Sequence, residues 1–221
     1  MSNLFTLGDG IPEETFAPLL AMLTQKRLPN NHDRKKSGFG RSQCFGIVKS
    51  RGGSYVGSRQ NFNRPEVLME LQRIAQTILP PDFVWTSVQV NDNYKTAPHK
   101  DSGNFGVSAI VGFGNYGGGE LVIEETPVNI RHQLCFFDGS LYTHHTKDYT
   151  GSRFSLVFFK PAETFREVPQ YSMTRFENKD VLTESLGGVV RYINKKGVIV
   201  WASDNNMPGN RQRKPILRAC L

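Results

Sequence analysis

The chain has 221 residues, 11% of them aromatic, with 15 Phe, 21 Gly and a formal charge of +7. That length suits one domain with a full hydrophobic core and is short for two. No run of about 18 apolar residues occurs, and the opening MSNLFTLGDG has no basic stretch leading into an apolar one. A secreted or membrane-spanning protein is therefore not expected. Cys44, Cys135 and Cys220 lie far apart without CxxC spacing, which argues against a zinc cluster or a disulfide framework and fits a reducing compartment, nucleus or cytoplasm.

The charge is unevenly placed. Residues 1–25 sum to −3, 26–64 to +9, 65–190 to −5 and 191–221 to +6. Two basic segments thus flank an acidic middle, a pattern that suits a polyanion because clustered Lys and Arg displace counterions from phosphates.

In chain order, Pro12 to Lys26 places Phe16, Leu19, Leu20 and Leu23 at helical spacing, with Glu13 and Glu14 in the first turn, and predicts a first helix. A Gly- and Arg-rich stretch follows from Asn30 to Arg64, containing a short alternating run, Gln43 to Lys49. Pro65 opens a second helix carrying Val67, Leu71, Ile74 and Ile78, which Pro80 and Pro81 close. The texture then changes to strands at Val84–Asn91, Gly106–Phe113, Glu120–Glu124, Gln133–Phe137 and Arg153–Lys160. Val189–Ile193 and Val198–Ala202 predict a hairpin around Asn194–Gly197, ahead of a basic arm. Helices followed by closely spaced strands describe an α+β chain, a sheet sandwich with helices packed on one side. We expect a catalytic domain over residues 1–165 and a basic extension over 166–221.

The chemistry concentrates in VQVNDNYKTAPHKDSGNFG, where His99 and Asp101 stand two residues apart. Alternate residues of an extended segment face one side, so both can reach a single metal ion. A third ligand is available in FFDGSLYTHHTKDYTGSRFSLVFF, as His144 or His145. Two imidazoles and a carboxylate leave three positions of an octahedral ferrous ion open for a co-substrate and oxygen. Downstream, Arg153 and Ser155 share a strand face, and a guanidinium fork with a hydroxyl suits a carboxylate.

The order of these parts resembles the Fe(II)/2-oxoglutarate oxygenase superfamily: HxD, a Gly-rich hairpin at Asn115–Leu121, a strand ending Phe-Phe-Asp-Gly, then His, then Arg before a Ser. The resemblance covers about a third of the chain. It implies a double-stranded β-helix, the jelly-roll or cupin-like core, and Fe(II), 2-oxoglutarate and O2 as cofactor and co-substrates. Many relatives read HxTxxxTGxR, which assigns His144 to the metal and Arg153, with Ser155, to the far carboxylate of 2-oxoglutarate. Asn91 and Tyr94 fall where such enzymes place polar groups against the co-substrate, and His145 becomes a pocket-edge group.

Within the superfamily, prolyl-hydroxylase-like members usually carry Lys at the Arg153 position, and AlkB-like members a second Arg where this chain has Phe159. The segment HKDSGN is similar to the HxDxxN of the TET/JBP group, which hydroxylates methylpyrimidines in DNA. That resemblance implies that Asn104 reads the base. Arg34, Lys35, Lys36 and Arg41 on one side, and Arg211, Arg213 and Lys214 on the other, are then expected to hold the phosphate backbone, of DNA rather than RNA. The alternatives are a protein or small-molecule hydroxylase of the same fold, and a binding module without catalysis. A monomer is expected.

Overall fold

The computed structural model describes residues 4–30, 38–49, 55–161, 184–186, 189–193 and 199–203. The chain divides into two compact units, Met1–Gln43 with Gln89–Lys160, and Cys44–Val88 with Pro161–Leu221.

In the first unit, strand β1 (Phe5–Gly10) leads into a 3-10 turn, Glu13–Phe16, and helix α1 (Ala17–Gln25). The expected helix over Pro12 to Lys26 is therefore two pieces. Pro18 has no N–H to give to the Glu14 carbonyl, so an α-helix cannot run through it and instead begins with Pro18 in its first turn. Phe16, Leu19 and Leu23 are fully buried, each contributing about 2 kcal/mol by leaving water.

The remaining strands are β2 (Gly38–Lys49), β3 (Tyr55–Gly57), β4 (Ser87–Thr96), β5 (Ser108–Phe113), β6 (Tyr116–Gly118), β7 (Leu121–Ile123), β8 (Thr126–Val128), β9 (Gln133–Phe137), β10 (His144–Thr146), β11 (Tyr149–Gly151) and β12 (Phe154–Phe159). The large sheet of the first unit follows the order β1-β9-β5-β12-β4-β2. A smaller layer consists of β10-β7-β8 and the pair β11-β6. Pairing is antiparallel, with Phe154 opposite Phe113 and Ile110 opposite Cys135. Between the layers lies a core of Ile110, Cys135 and Phe137 from the large sheet against Leu121, Ile123 and Val128 from the small one. On the other side of the large sheet Phe16 stacks on Phe113 at 4.9 Å, and Phe113 on Phe154 at 5.5 Å. Every residue of β5 is buried, as a strand covered on both faces requires. Two sheets enclosing a core, closed by short antiparallel strands, form the double-stranded β-helix with helical support.

In the second unit, the end of β2 pairs with β3, Ile47 opposite Gly57. Helix α2 (Arg59–Asn63) is capped by Ser58, whose hydroxyl accepts from the Gln60 N–H. Helix α3 (Pro65–Ile78) buries Val67, Leu68, Leu71, Ile74 and Ala75 along one stripe and ends where Leu79, preceding Pro80, turns extended. Strands β13 (Glu184–Leu186), β14 (Val189–Ile193) and β15 (Ile199–Ser203) form an antiparallel sheet. Val189 pairs with Ser203 and Ile193 with Ile199, so the expected hairpin is present. Its turn at Asn194–Gly197 lies outside the described residues. Among the described residues no helix is long and apolar enough to cross a membrane.

Candidate metal centre

His99 and Asp101 lie beyond β4, which ends at Thr96, so the HxD pair stands in a loop and not on the strand itself. What aligns it is pairing with a distant segment. The His99 N–H donates to the His144 carbonyl at 3.1 Å and the His144 N–H donates back at 2.9 Å, an isolated antiparallel bridge. Asp101 is fixed in turn by its N–H, which donates to the Gly139 carbonyl at 2.8 Å.

These bonds bring one donor atom from each of His99, Asp101 and His144 to within 4.8 Å of the others. His99 Nε2 stands 3.6 Å from Asp101 Oδ1, and His144 Nε2 stands 3.6 Å from Oδ2 of the same carboxylate. With bonds of about 2.1 Å, two donors on one ion are about 3 Å apart at right angles and about 4.2 Å apart when opposite. The two 3.6 Å spacings between imidazole and carboxylate fall between these limits. The other ring nitrogens are engaged: His99 Nδ1 lies 2.8 Å from the Ala97 carbonyl and His144 Nδ1 lies 3.0 Å from that of Tyr142. A hydrogen on Nδ1 bonded to a carbonyl leaves Nε2 with a lone pair for a metal, the usual way such a ligand is aimed. Imidazole and carboxylate together suit a divalent first-row ion. His145 sits opposite Val122 on the neighbouring strand and does not join the cluster.

A cavity opens beside the triad. Its lining includes the apolar Ile110, Leu121, Phe137 and Val157 and the polar Asn91, Tyr94, Arg153 and Ser155. Arg153 is 2% exposed. Its Nε donates to the Gly119 carbonyl at 3.1 Å, and its guanidinium lies over the rings of Tyr116 and Tyr149 at 5.6 and 5.7 Å. Burial pushes its pKa down, against the opposing pull of the two tyrosines. Among the described residues no carboxylate pairs with it. A buried cation without a counter-ion costs several kcal/mol, so the cavity favours an anion.

The backbone around Arg153 accounts for the Gly-rich hairpin. A Cβ on Gly119, which has φ +73°, would stand 2.9 Å from both Cδ and Nε of Arg153. Asn93 supplies a second brace. Its φ of 51° is one Asn tolerates better than most residues; its N–H donates to the Arg153 carbonyl at 2.8 Å, and its Oδ1 accepts from the Arg153 N–H at 2.9 Å.

The other expected site residues divide into three groups. Tyr94 is buried and lines the cavity. Asn91 lines it too, but its amide is already engaged, accepting from the Ser42 hydroxyl at 2.7 Å and donating to Ser155 Oγ at 3.1 Å. Asn104 also lines the cavity, and its amide approaches Asp101 Oδ2 at 3.4 Å, a contact with the triad that the sequence did not suggest. Arg41 donates to the Leu28 carbonyl at 2.8 Å. Arg34, Lys35, Lys36, Arg211, Arg213 and Lys214 lie outside the described residues. Ser42, Gln89, Asn93 and Gly119 were not anticipated, since each acts through a partner on another strand.

No family model and no curated protein matches the chain. Among solved structures it is similar to NgTET1 in complex with 5mC DNA, with a TM-score of 0.50, 16% identity and 72% of each chain covered. It is also similar to a Pseudomonas putida prolyl-4-hydroxylase, with a TM-score of 0.48, 14% identity, and 72% of this chain and 94% of that one covered. A third is a prolyl hydroxylase in complex with a hypoxia inducible factor peptide fragment, from Trichoplax adhaerens, at 0.49 and 13%, covering 75% and 86%. The likeness to NgTET1 is one of fold, and agrees with the double-stranded β-helix described above.

Proposed function

We propose that the protein is an Fe(II)- and 2-oxoglutarate-dependent oxygenase that hydroxylates a C–H bond. The observation that carries this reading is the pairing of a two-histidine, one-carboxylate cluster with a buried Arg153 that no carboxylate among the described residues pairs with, in the same cavity. His99, Asp101 and His144 would hold the iron through Nε2, a carboxylate oxygen and Nε2. Arg153 would bind the far carboxylate of 2-oxoglutarate with its planar fork, and Ser155 would donate a hydroxyl hydrogen to it. When bound, iron with 2-oxoglutarate and O2 supplies the oxidising power, with succinate and carbon dioxide as co-products. The chain's own contribution is to orient the bound groups and, through Ile110, Leu121, Phe137 and Val157, to keep water from them.

For the substrate we propose a methylated pyrimidine in DNA. The +9 and +6 segments around an acidic middle suit a phosphate backbone, and the HxDxxN of HKDSGN is similar to that of the TET/JBP group. On this reading residues 1–165 form the catalytic domain, and 166–221 a basic extension that adds phosphate contacts. Asn104, which lines the cavity beside Asp101, would on this reading meet the base.

Two measurements test these layers separately. Uncoupled succinate formation from 2-oxoglutarate tests the oxygenase reading. Arg153→Lys keeps the charge but loses the fork, so it should raise the KM for 2-oxoglutarate about tenfold or more without altering metal affinity; an unchanged KM removes Arg153 from the site. Mass spectrometry of nucleosides from DNA incubated with the enzyme, iron, ascorbate and 2-oxoglutarate tests the substrate. If succinate forms but no nucleobase is oxidised and DNA affinity does not fall with salt, a protein or small-molecule hydroxylase takes the place of the DNA reading.

A further inference from the structure

Four polar side chains from three neighbouring strands form a hydrogen-bond file, and three of them, Gln89, Asn91 and Ser155, line the cavity. Gln89 and Asn91 occupy alternate positions of β4 and therefore share a face, with Ser42 on β2 to one side and Ser155 on β12 to the other. Gln89 Nε2 donates to Ser42 Oγ, Ser42 donates to Asn91 Oδ1 at 2.7 Å, and Asn91 Nδ2 donates to Ser155 Oγ at 3.1 Å. Ser42, Asn91 and Ser155 are 1%, 8% and 2% exposed. Among the described residues nothing accepts the hydrogen of the Ser155 hydroxyl.

Such a file has two self-consistent polarities. A hydroxyl carries one hydrogen, and an amide presents a donor on one side and an acceptor on the other, so turning any member reverses all of them. In the observed polarity Ser155 receives a hydrogen from Asn91 and must give its own to whatever occupies the cavity. In the reverse polarity Ser155 would give its hydrogen to Asn91 and present only lone pairs. Arg153 decides between them: its unpaired charge draws an anion into the same cavity, and lone pairs would repel that anion.

We propose that Gln89, Ser42 and Asn91 are positioning residues that polarise Ser155 as an obligate donor, so that the site selects a carboxylate over its uncharged amide. The inference rests on the reading of the cavity as a 2-oxoglutarate site. Each link in such a file strengthens the next by roughly 10–30%, and the last bond, to a charged acceptor, is the strong one. Breaking the file at Ser42 frees the Asn91 amide to turn and take back the Ser155 hydrogen.

The test is calorimetric titration of the full-length, Mn(II)-loaded protein with 2-oxoglutarate and, separately, with its C5 amide. Ser42→Ala should weaken 2-oxoglutarate about tenfold and the amide less than about threefold, narrowing the preference between them. Ser42→Thr keeps the hydroxyl and should restore the wild-type preference. Asn91→Asp takes the Ser155 hydrogen and adds a negative charge, so it should abolish 2-oxoglutarate binding. If Ser42→Ala does not fold, Gln89→Leu removes the half-buried first link and is read in the same way. Equal weakening of both ligands, or of neither, overturns the polarised file while leaving the co-substrate reading in place. If the wild-type protein fails to bind 2-oxoglutarate, the cavity reading falls and takes this inference with it.

Discussion

Gly139 offers a probe of the metal centre that changes no donor and no charge. A Cβ built on it would stand 3.3 Å from His144 Cε1, 3.4 Å from Asp101 Oδ2 and 3.4 Å from Phe137 Cε2. The contact to His144 is tighter than ordinary van der Waals approach and the other two lie at its edge, so the imidazole of one of the three ligands would have to yield by a few tenths of an ångström. The backbone cannot easily retreat, because the Gly139 carbonyl accepts from Asp101. Disturbing the groups around metal ligands typically costs 10–100-fold in affinity. Gly139→Ala should therefore lower affinity for Mn(II) or anaerobic Fe(II) about tenfold, or about 1.4 kcal/mol. Stability should barely move, because Gly139 has no positive φ that would strain an alanine, and the entropy lost by the unfolded chain, about 0.4–1 kcal/mol, offsets the crowding. Calorimetric metal titration alongside thermal unfolding measures both. Wild-type affinity in a fully folded Gly139→Ala would refute convergence of the three donors on one ion beside this residue.

Three further outcomes are expected. His144→Ala should abolish succinate formation with the fold intact and His145→Ala should not; the opposite pattern would reverse the choice between the adjacent histidines. Arg27 grips the fully buried Asp92 with two bonds of 2.7 and 2.6 Å, so Arg27→Ala should cost about 2–3 kcal/mol in denaturant unfolding. That is somewhat below the usual cost of orphaning a buried charge, because Arg27 is half exposed. Burial pushes the Cys135 thiol up to about 12, so alkylation of the native protein at pH 8 should spare it. The folded thiol stays protonated while the unfolded one ionises near its ordinary value of 9.0, so this group's contribution to stability should decline as pH rises from there toward 12, and Cys135→Val should remove that component.

What the sequence disclosed, and what it hid, follows from the reach of each interaction. HxD, the later His and the ArgXSer pair are legible because the chemistry constrains residue type and each group is short-range in sequence. The stripe of α3 is legible for the same reason, since its period lies within a single window. Alignment of the triad is not, because His99 and Asp101 sit past the end of β4, the first aimed by a bridge to His144 and the second by its bond to the Gly139 carbonyl. Nor are the roles of Ser42, Gln89, Asn93 and Gly119, which depend on strand order and register. A serine in a Gly- and Arg-rich stretch carries no local sign that β2 will lie beside β4. Short strands such as β6, β10 and β11, three residues each, also escape periodicity, which needs more alternations than they contain.

The reciprocal bonds between His99 and His144 are made by backbone N–H and carbonyl groups alone, so they would survive exchange of either side chain. The place where an ion can sit is thus inherited with the strand pairing, while the identity of the ion is a matter of which side chains hang there. A chain of this design can forfeit its reactivity in a single substitution and still keep its shape. By the same token it can be refitted: a thiol or a second carboxylate at position 99 or 144 would take over a ready-made aim. Replacing donors one at a time on this frame would separate the geometry of a metal site from its chemistry.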